Sequence, residues 1–174
     1  MTHHLSYYAT PLGVYVALIV AANWLTATYG LIPIGFGLSV TAGTFAAGGV
    51  LLARDWVQVR SGRAVVLVAI AVGALLTWAI STPALAVASG VAFAVSEGVD
   101  WSVFTPLRER SLPAAVLVSS VVSAPIDTVL FLHLAGFGVT WQAVLGQFIV
   151  KTAMAAAVAG VIHVRSRRAV SERG

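Results

Sequence analysis

The chain of 174 residues contains no cysteine and very few charged residues. Without cysteine, disulfide bonds and thiolate metal ligands are excluded. Charged residues make up 9% of the chain, whereas they make up about a quarter of an ordinary globular domain. Hydrophobic residues make up 59%. This composition indicates a membrane protein.

The few charges that are present carry a formal net charge of +4. The basic residues lie in short clusters between long apolar runs, which is how a membrane protein sets its orientation. A nucleic-acid partner is therefore not predicted, and the expected surroundings are a lipid bilayer. The length favours a single transmembrane domain over residues 1–174.

Apolar segments of about 20 residues span the roughly 30 Å hydrocarbon core of a bilayer. Six such segments are separated by turn-forming or charged residues, and they cover residues 12–29, 38–57, 64–81, 84–105, 114–135 and 141–163. No β-alternation is sustained, and an open strand cannot satisfy its backbone in lipid. The sequence therefore predicts an all-α polytopic bundle of six transmembrane helices.

Arginine predicts the orientation of this bundle. The 54–63 and 106–112 connections carry arginines, as does the tail at 164–174, whereas the other three connections carry neither Lys nor Arg. Because basic loops stay on the cytoplasmic side, we expect both termini and the two basic connections to be cytoplasmic. The uncharged connections then face outward.

Four charged residues lie well inside the last three predicted helices. Glu97 and Asp100 are one turn apart in the fourth helix, Asp127 is in the fifth, and Lys151 is near the centre of the sixth. Each such group costs about 2.5–3.5 kcal/mol at the centre of a membrane helix on insertion scales. We therefore expect these four residues to face the bundle interior and to form a functional site.

Polar and aromatic neighbours extend this candidate site. By helical spacing, four of them share a helix face with a charged group: Trp101, Phe104, Ser123 and Gln147. The fifth, Asn23, is on the first helix and is expected to face the same interior. A cavity lined in this way suits a flat small molecule rich in hydrogen-bonding groups. Adjacent carboxylates match the ring N–H and amino donors of a guanine-like edge.

The charges also allow a purely structural interpretation. Lys151 could pair with Asp127 or Glu97 in a buried bridge that fixes helix packing. Three acids against one lysine nevertheless leave two negative charges. That surplus favours a bound cation, a ligand that donates several hydrogen bonds, or a carboxyl kept protonated by burial. No cofactor, metal site or catalytic residue is predicted, because no metal-ligand spacing and no nucleophile with a base is present.

Several segments also resemble a known family. They are VTAGTFAAGGVLLARD at 40–55, SEGVDWSVFTPLRER at 96–110, VSSVVSAPIDTVLF at 118–131, and the lysine at 151. Together they resemble the queuosine precursor transporter family, also called the vitamin uptake transporter family. The resemblance implies a six-helix importer of 7-deazaguanine bases in the bacterial inner membrane. It also places Asp55 at a family acidic position. Different residues at 58–62 indicate a divergent branch.

Residue chemistry and resemblance together predict a secondary transporter rather than an enzyme. Glu97 and Asp100 would accept hydrogen bonds from a purine-like base, and Trp101 or Phe104 would stack on it. Asp127, Lys151 and Asp55 would couple binding to gating, through protonation of one carboxyl. A homo-oligomer is compatible with this prediction.

One alternative remains open at this point. The chain could be the substrate-binding subunit of an energy-coupling-factor vitamin importer, which needs a scaffold protein and paired ATPases for transport. Ala17 and Ala21 would then form its docking stripe on the first helix.

Overall fold

The computed structural model describes the backbone of residues 2–171. It describes the side chains of residues 10–164, apart from those of residues 47, 48, 51, 52, 55 and 59. This part of the chain forms six α-helices and one β-hairpin, in the order α1 Thr2–Tyr29, β1 Leu31–Gly35, β2 Leu38–Thr41, a 3-10 segment Ala42–Ala46, α2 Ala47–Ser61, α3 Arg63–Ile80, α4 Pro83–Arg108, α5 Leu112–Leu134 and α6 Trp141–Ser171.

Five of these helices are long and apolar enough to cross a bilayer, namely α1 and α3 to α6. The prediction of membrane-spanning helices is confirmed for these five. The remaining helix, α2, has 15 residues and is about 22 Å long. It is therefore shorter than the roughly 30 Å hydrocarbon core. The orientation of the termini remains a prediction, and α6 continues into the segment predicted as a tail.

The prediction of a mostly helical bundle is confirmed, but the predicted start of the second helix at residue 38 is wrong. Residues 38–41 form β2, which pairs antiparallel with β1, and α2 begins only at Ala47. The turn places Gly35, Phe36 and Gly37 at φ values of 93°, 54° and 73°. The two strands pair with each other, and β2 packs closely against α6, so protein satisfies part of the hairpin backbone. The prediction considered only an open strand.

The distribution of polarity is that of a membrane bundle. Large apolar side chains on α3, such as Leu75 and Trp78, are 69% and 56% exposed. Buried polar residues lie between the helices instead, and Thr77 and Ser119 are fully buried. Apolar groups on the outside suit lipid, so this arrangement supports a multi-pass membrane protein.

Capping residues mark the N-termini of α4 and α5. The Thr82 hydroxyl accepts from the backbone N–H of Leu85 at the start of α4, and Pro83 occupies the first turn. The Ser111 hydroxyl accepts from Ala114 in the same way at the start of α5. These caps satisfy N–H groups that have no partner within the helix. They fix where α4 and α5 enter the bundle.

Two glycines allow the hairpin region to approach the helices closely. A Cβ added at Gly43, in the 3-10 segment, would meet the carbonyl oxygen of Ala22 on α1. A Cβ added at Gly146 on α6 would meet the carbonyl oxygen of Ser39 on β2. The strand and the 3-10 segment are therefore held against α6 and α1 by backbone contact.

Gly146→Ala is expected to lower the free energy of unfolding by about 1–3 kcal/mol, the usual cost of overpacking. The reason is that β2 has to move away from α6. The matched control is Gly160→Ala on the same helix, where an added Cβ meets nothing. That control should be neutral or slightly stabilising because alanine favours the helix. Denaturation in mixed micelles measures both variants, and equal stability of the two would contradict the close contact.

Candidate functional site

A cavity lies between α1, α2, α4, α5, α6 and the 3-10 segment. Its volume is about 120 Å³. One water molecule needs roughly 10–15 Å³ on the same measure, so a small organic molecule is a suitable occupant. Its walls combine charged, neutral polar and aromatic side chains, and these groups are not evenly distributed.

Arg54 forms a buried ion cluster with two carboxylates of α4. Its Nη1 lies 2.7 Å from Oε1 of Glu97 and 3.3 Å from Oδ2 of Asp100. The three residues are 5%, 6% and 2% exposed. Arg54 and Glu97 line the cavity, whereas Asp100 lies outside the lining. Asp100 therefore holds Arg54 from the side away from the cavity.

Lys151 forms a second ion pair, which joins α6 to α5. Its Nζ donates to Oδ2 of Asp127 at 2.6 Å and to the Thr128 hydroxyl at 2.9 Å. The Ser96 hydroxyl of α4 donates to the other oxygen of Asp127 at 3.4 Å. Both ends of this pair line the cavity. The structural interpretation left Asp127 or Glu97 as the partner of Lys151, and the structure has Asp127.

The charge balance differs from that predicted, because the sequence analysis did not count Arg54. Among the described side chains of the two clusters, three carboxylates face two cations, which leaves a formal charge of −1. Arg54 looked like a residue near the membrane surface when the second helix was taken as 38–57. Because α2 spans only Ala47–Ser61, Arg54 lies at mid-helix. The interior position of Arg54 follows from the start of α2 at Ala47, which the sequence did not indicate.

The opposite end of the cavity is polar but carries no charged side chain among the described residues. Asn23 on α1 donates to the hydroxyls of Ser89 at 3.0 Å and Thr77 at 3.2 Å. Thr26 accepts from the backbone N–H of Gly43 at 3.0 Å. These bonds tie α1 to α3, α4 and the 3-10 segment.

Gln147 on α6 is the most buried polar residue of the cavity lining, at 1% exposure. Its Oε1 accepts from the Thr44 hydroxyl at 3.4 Å, and that hydroxyl lies 2.9 Å from the hydroxyl of Thr41. Its Nε2 has no hydrogen-bond partner among the described residues, and neither has Oγ of Ser120. Both side chains line the cavity.

The aromatic rings at the cavity are not the predicted ones. Tyr15, Phe93 and Phe131 line it. Trp101 packs instead against the apolar core of α1 to α3, and its Nε1 donates to Gln58 at 3.1 Å. Phe104 packs in the apolar cluster formed by α5 and α6. Both rings therefore flank the face of α4 that carries Glu97.

The structure brings most of the predicted site residues together. Six of them line the cavity: Asn23, Glu97, Ser123, Asp127, Gln147 and Lys151. Asp100, Trp101 and Phe104 lie outside the lining. Asp55 lies in α2, but its side chain is outside the described residues. Among the charged and aromatic residues of the lining, sequence reasoning missed Arg54 and the three rings.

Comparison with known proteins gives one match. Residues 14–164 match the family model described as "Putative vitamin uptake transporter". The matched range includes every residue that lines the cavity. No curated protein and no solved structure matches the chain.

Proposed function

This chain belongs to the vitamin uptake transporter family, and we propose that it imports a 7-deazaguanine base, a precursor of queuosine, across the bacterial inner membrane. The observation that carries this proposal is the cavity between the helices, which has two carboxylate–cation pairs at one end. Ionisable groups inside a membrane-spanning bundle are costly and mark substrate pathways.

The chemistry of a guanine-type base fits that end of the cavity. Its ring N–H and amino group donate, and its carbonyl oxygen accepts. Glu97 and Asp127 supply acceptors, while Lys151 and Arg54 supply donors beside them. Each ion pair thus offers adjacent complementary groups to a lactam edge. Flat rings favour stacking against aromatic walls, which Tyr15, Phe93 and Phe131 provide in place of Trp101 and Phe104.

The residual charge of the two clusters supports proton coupling. Three carboxylates and two cations leave one negative charge. One proton taken up by a carboxyl makes the clusters neutral, which lowers the cost of rearranging them in a low-dielectric interior. The chain then acts as a secondary transporter, with Asp127 and Lys151 as the gating pair. The hairpin end of the bundle faces outward, and the end that carries Arg60, Arg63, Arg108 and Arg110 faces the cytoplasm, as the positive-inside rule requires.

Binding by the purified chain tests the proposal. We expect 7-cyano-7-deazaguanine to bind, and Glu97→Gln and Asp127→Asn each to weaken binding by about ten- to a hundredfold, since a hydrogen bond to a charged group contributes about 1.5–3 kcal/mol. The matched control is Glu109→Gln, because Glu109 is exposed at the end of α4. Unchanged affinity in both cavity variants would contradict the proposal.

A second candidate function differs only in its partners. Ala17 and Ala21 are both exposed on α1, and a surface of small residues allows close helix packing. This observation favours the substrate-binding subunit of an energy-coupling-factor importer. Such a subunit binds its ligand alone but transports only with its scaffold and ATPases. Uptake by the chain expressed without partners separates the two functions.

A further inference from the structure

The two ends of the cavity offer different chemistry. Along α4 the lining runs from Ser89 to Glu97, which is about 12 Å of helix. The charged residues of the lining, Arg54, Glu97, Asp127 and Lys151, are joined in ion pairs at the Glu97 end. The Ser89 end carries hydroxyl and amide groups. A ligand that lies along the cavity therefore meets ionic partners at one end and neutral ones at the other.

Gln147 presents a donor at the neutral end. Thr44 donates to its Oε1 and so orients the amide, with Thr41 beside the Thr44 hydroxyl. The amide NH₂ is left without a partner among the described residues, although the side chain is 1% exposed and lines the cavity. A buried donor without a partner is unfavourable. A ligand acceptor placed here would relieve that cost.

We propose that Gln147 determines specificity by donating to a neutral acceptor at the tip of the ligand, with Thr44 as the positioning residue for its amide. The inference rests on the proposed function, because it requires the donor edge of the base to occupy the Glu97 end. The chain then prefers a base whose opposite tip carries an acceptor, such as a nitrile nitrogen. It discriminates against a base whose tip carries an ammonium group.

The discrimination follows from desolvation and from donor–acceptor matching. An ammonium buried at the neutral end meets no carboxylate among the described side chains there, so its lost hydration is not compensated by an opposite charge. Its N–H groups would also face the N–H groups of Gln147, and neither can accept. A nitrile carries no charge to desolvate, and its nitrogen accepts from that amide.

Two bases that differ only at this tip test the inference. We would measure the affinity of the purified full chain for 7-cyano-7-deazaguanine and for 7-aminomethyl-7-deazaguanine. The wild type is expected to bind the nitrile at least tenfold more tightly. Gln147→Glu keeps the shape of the side chain but replaces the donor by a carboxylate. The ratio of the affinity for the nitrile to that for the ammonium base should therefore fall by at least tenfold or reverse. Gln142→Glu on the same helix is the control and should keep the wild-type preference.

Three further variants keep the test decisive if Gln147→Glu fails to fold. Gln147→Leu should lose about tenfold in affinity for the nitrile and much less for the ammonium base. Thr44→Val should lower the ratio of the two affinities, as the Gln147 variants do, because the amide of Gln147 loses the hydroxyl that orients it. Thr44→Ser keeps that hydroxyl and should keep the wild-type ratio. A merely structural role of Thr44 would change both affinities equally.

The outcomes separate this inference from the proposed function. A wild type that binds both bases equally, or Gln147 variants that keep the wild-type ratio, would overturn the specificity role and leave the importer proposal standing. A wild type that binds neither base would overturn both.

Discussion

Arg54→Met is expected to lower the free energy of unfolding by about 3–5 kcal/mol, the usual cost of removing one partner from a buried ion pair. Arg54 lies 2.7 Å from Glu97 and 3.3 Å from Asp100. Its loss leaves two buried carboxylates on one turn of α4 without the cation they share. Reversible denaturation in mixed micelles gives the free energy directly.

Two controls show whether charge or packing is responsible. Arg60→Met also removes an arginine from α2. The guanidinium of Arg60 lies 4.8 Å from the Trp56 ring centroid. This variant should cost only about 0.5–1 kcal/mol. The triple variant Arg54→Met, Glu97→Gln and Asp100→Asn removes all three charges and should regain most of the lost stability, but not ligand binding. Wild-type stability in Arg54→Met would show that the buried cluster does not form.

Lys151→Met is expected to abolish uptake of the base. Lys151 bonds Asp127 at 2.6 Å and is one of two cations among the described residues of the clusters. Without it, the formal charge of the two clusters changes from −1 to −2. Asp127 then faces the cavity without its counter-ion, and a second proton is needed to neutralise the site. Uptake of labelled base into cells should fall by roughly a hundredfold or more, which corresponds to about 3 kcal/mol.

The double variant Lys151→Met with Asp127→Asn distinguishes stability from transport. It restores the formal charge of −1 and should recover much of the stability that the single variant loses. We expect it to remain inactive in uptake, since the proposed gating pair is gone. Active uptake by the double variant would show that the pair has only a packing role.

The ionisable residues of the site were predictable because their cost in lipid is large. Glu97, Asp127 and Lys151 lie within strongly apolar helices, and depth alone indicates that they face inward. The rings were less predictable. Trp101 and Phe104 share a face with Glu97 by helical spacing. That face is wide enough for one ring to pack toward α3 and the other toward α6.

The hairpin and Arg54 were missed for a single physical reason. A bilayer excludes an open strand, but it does not exclude a short hairpin whose strands pair with each other and whose second strand packs against a helix. Once residues 38–41 pair with β1 and α2 begins at Ala47, Arg54 lies at mid-helix. Thr44 reaches Gln147 for the same reason. The sequence of one segment alone does not indicate these contacts, because they depend on how the segments pack together.

Uptake by the chain alone tests the central claim most directly. Cells that can neither make nor import 7-cyano-7-deazaguanine would express the wild type, Glu97→Gln or the control Glu109→Gln. We expect accumulation of labelled base with the wild type and with the control, but none with Glu97→Gln. No accumulation from well-expressed wild type that binds the base would contradict a self-sufficient importer and favour a subunit of an ATP-driven complex. Equal uptake by wild type and Glu97→Gln would contradict the assigned cavity.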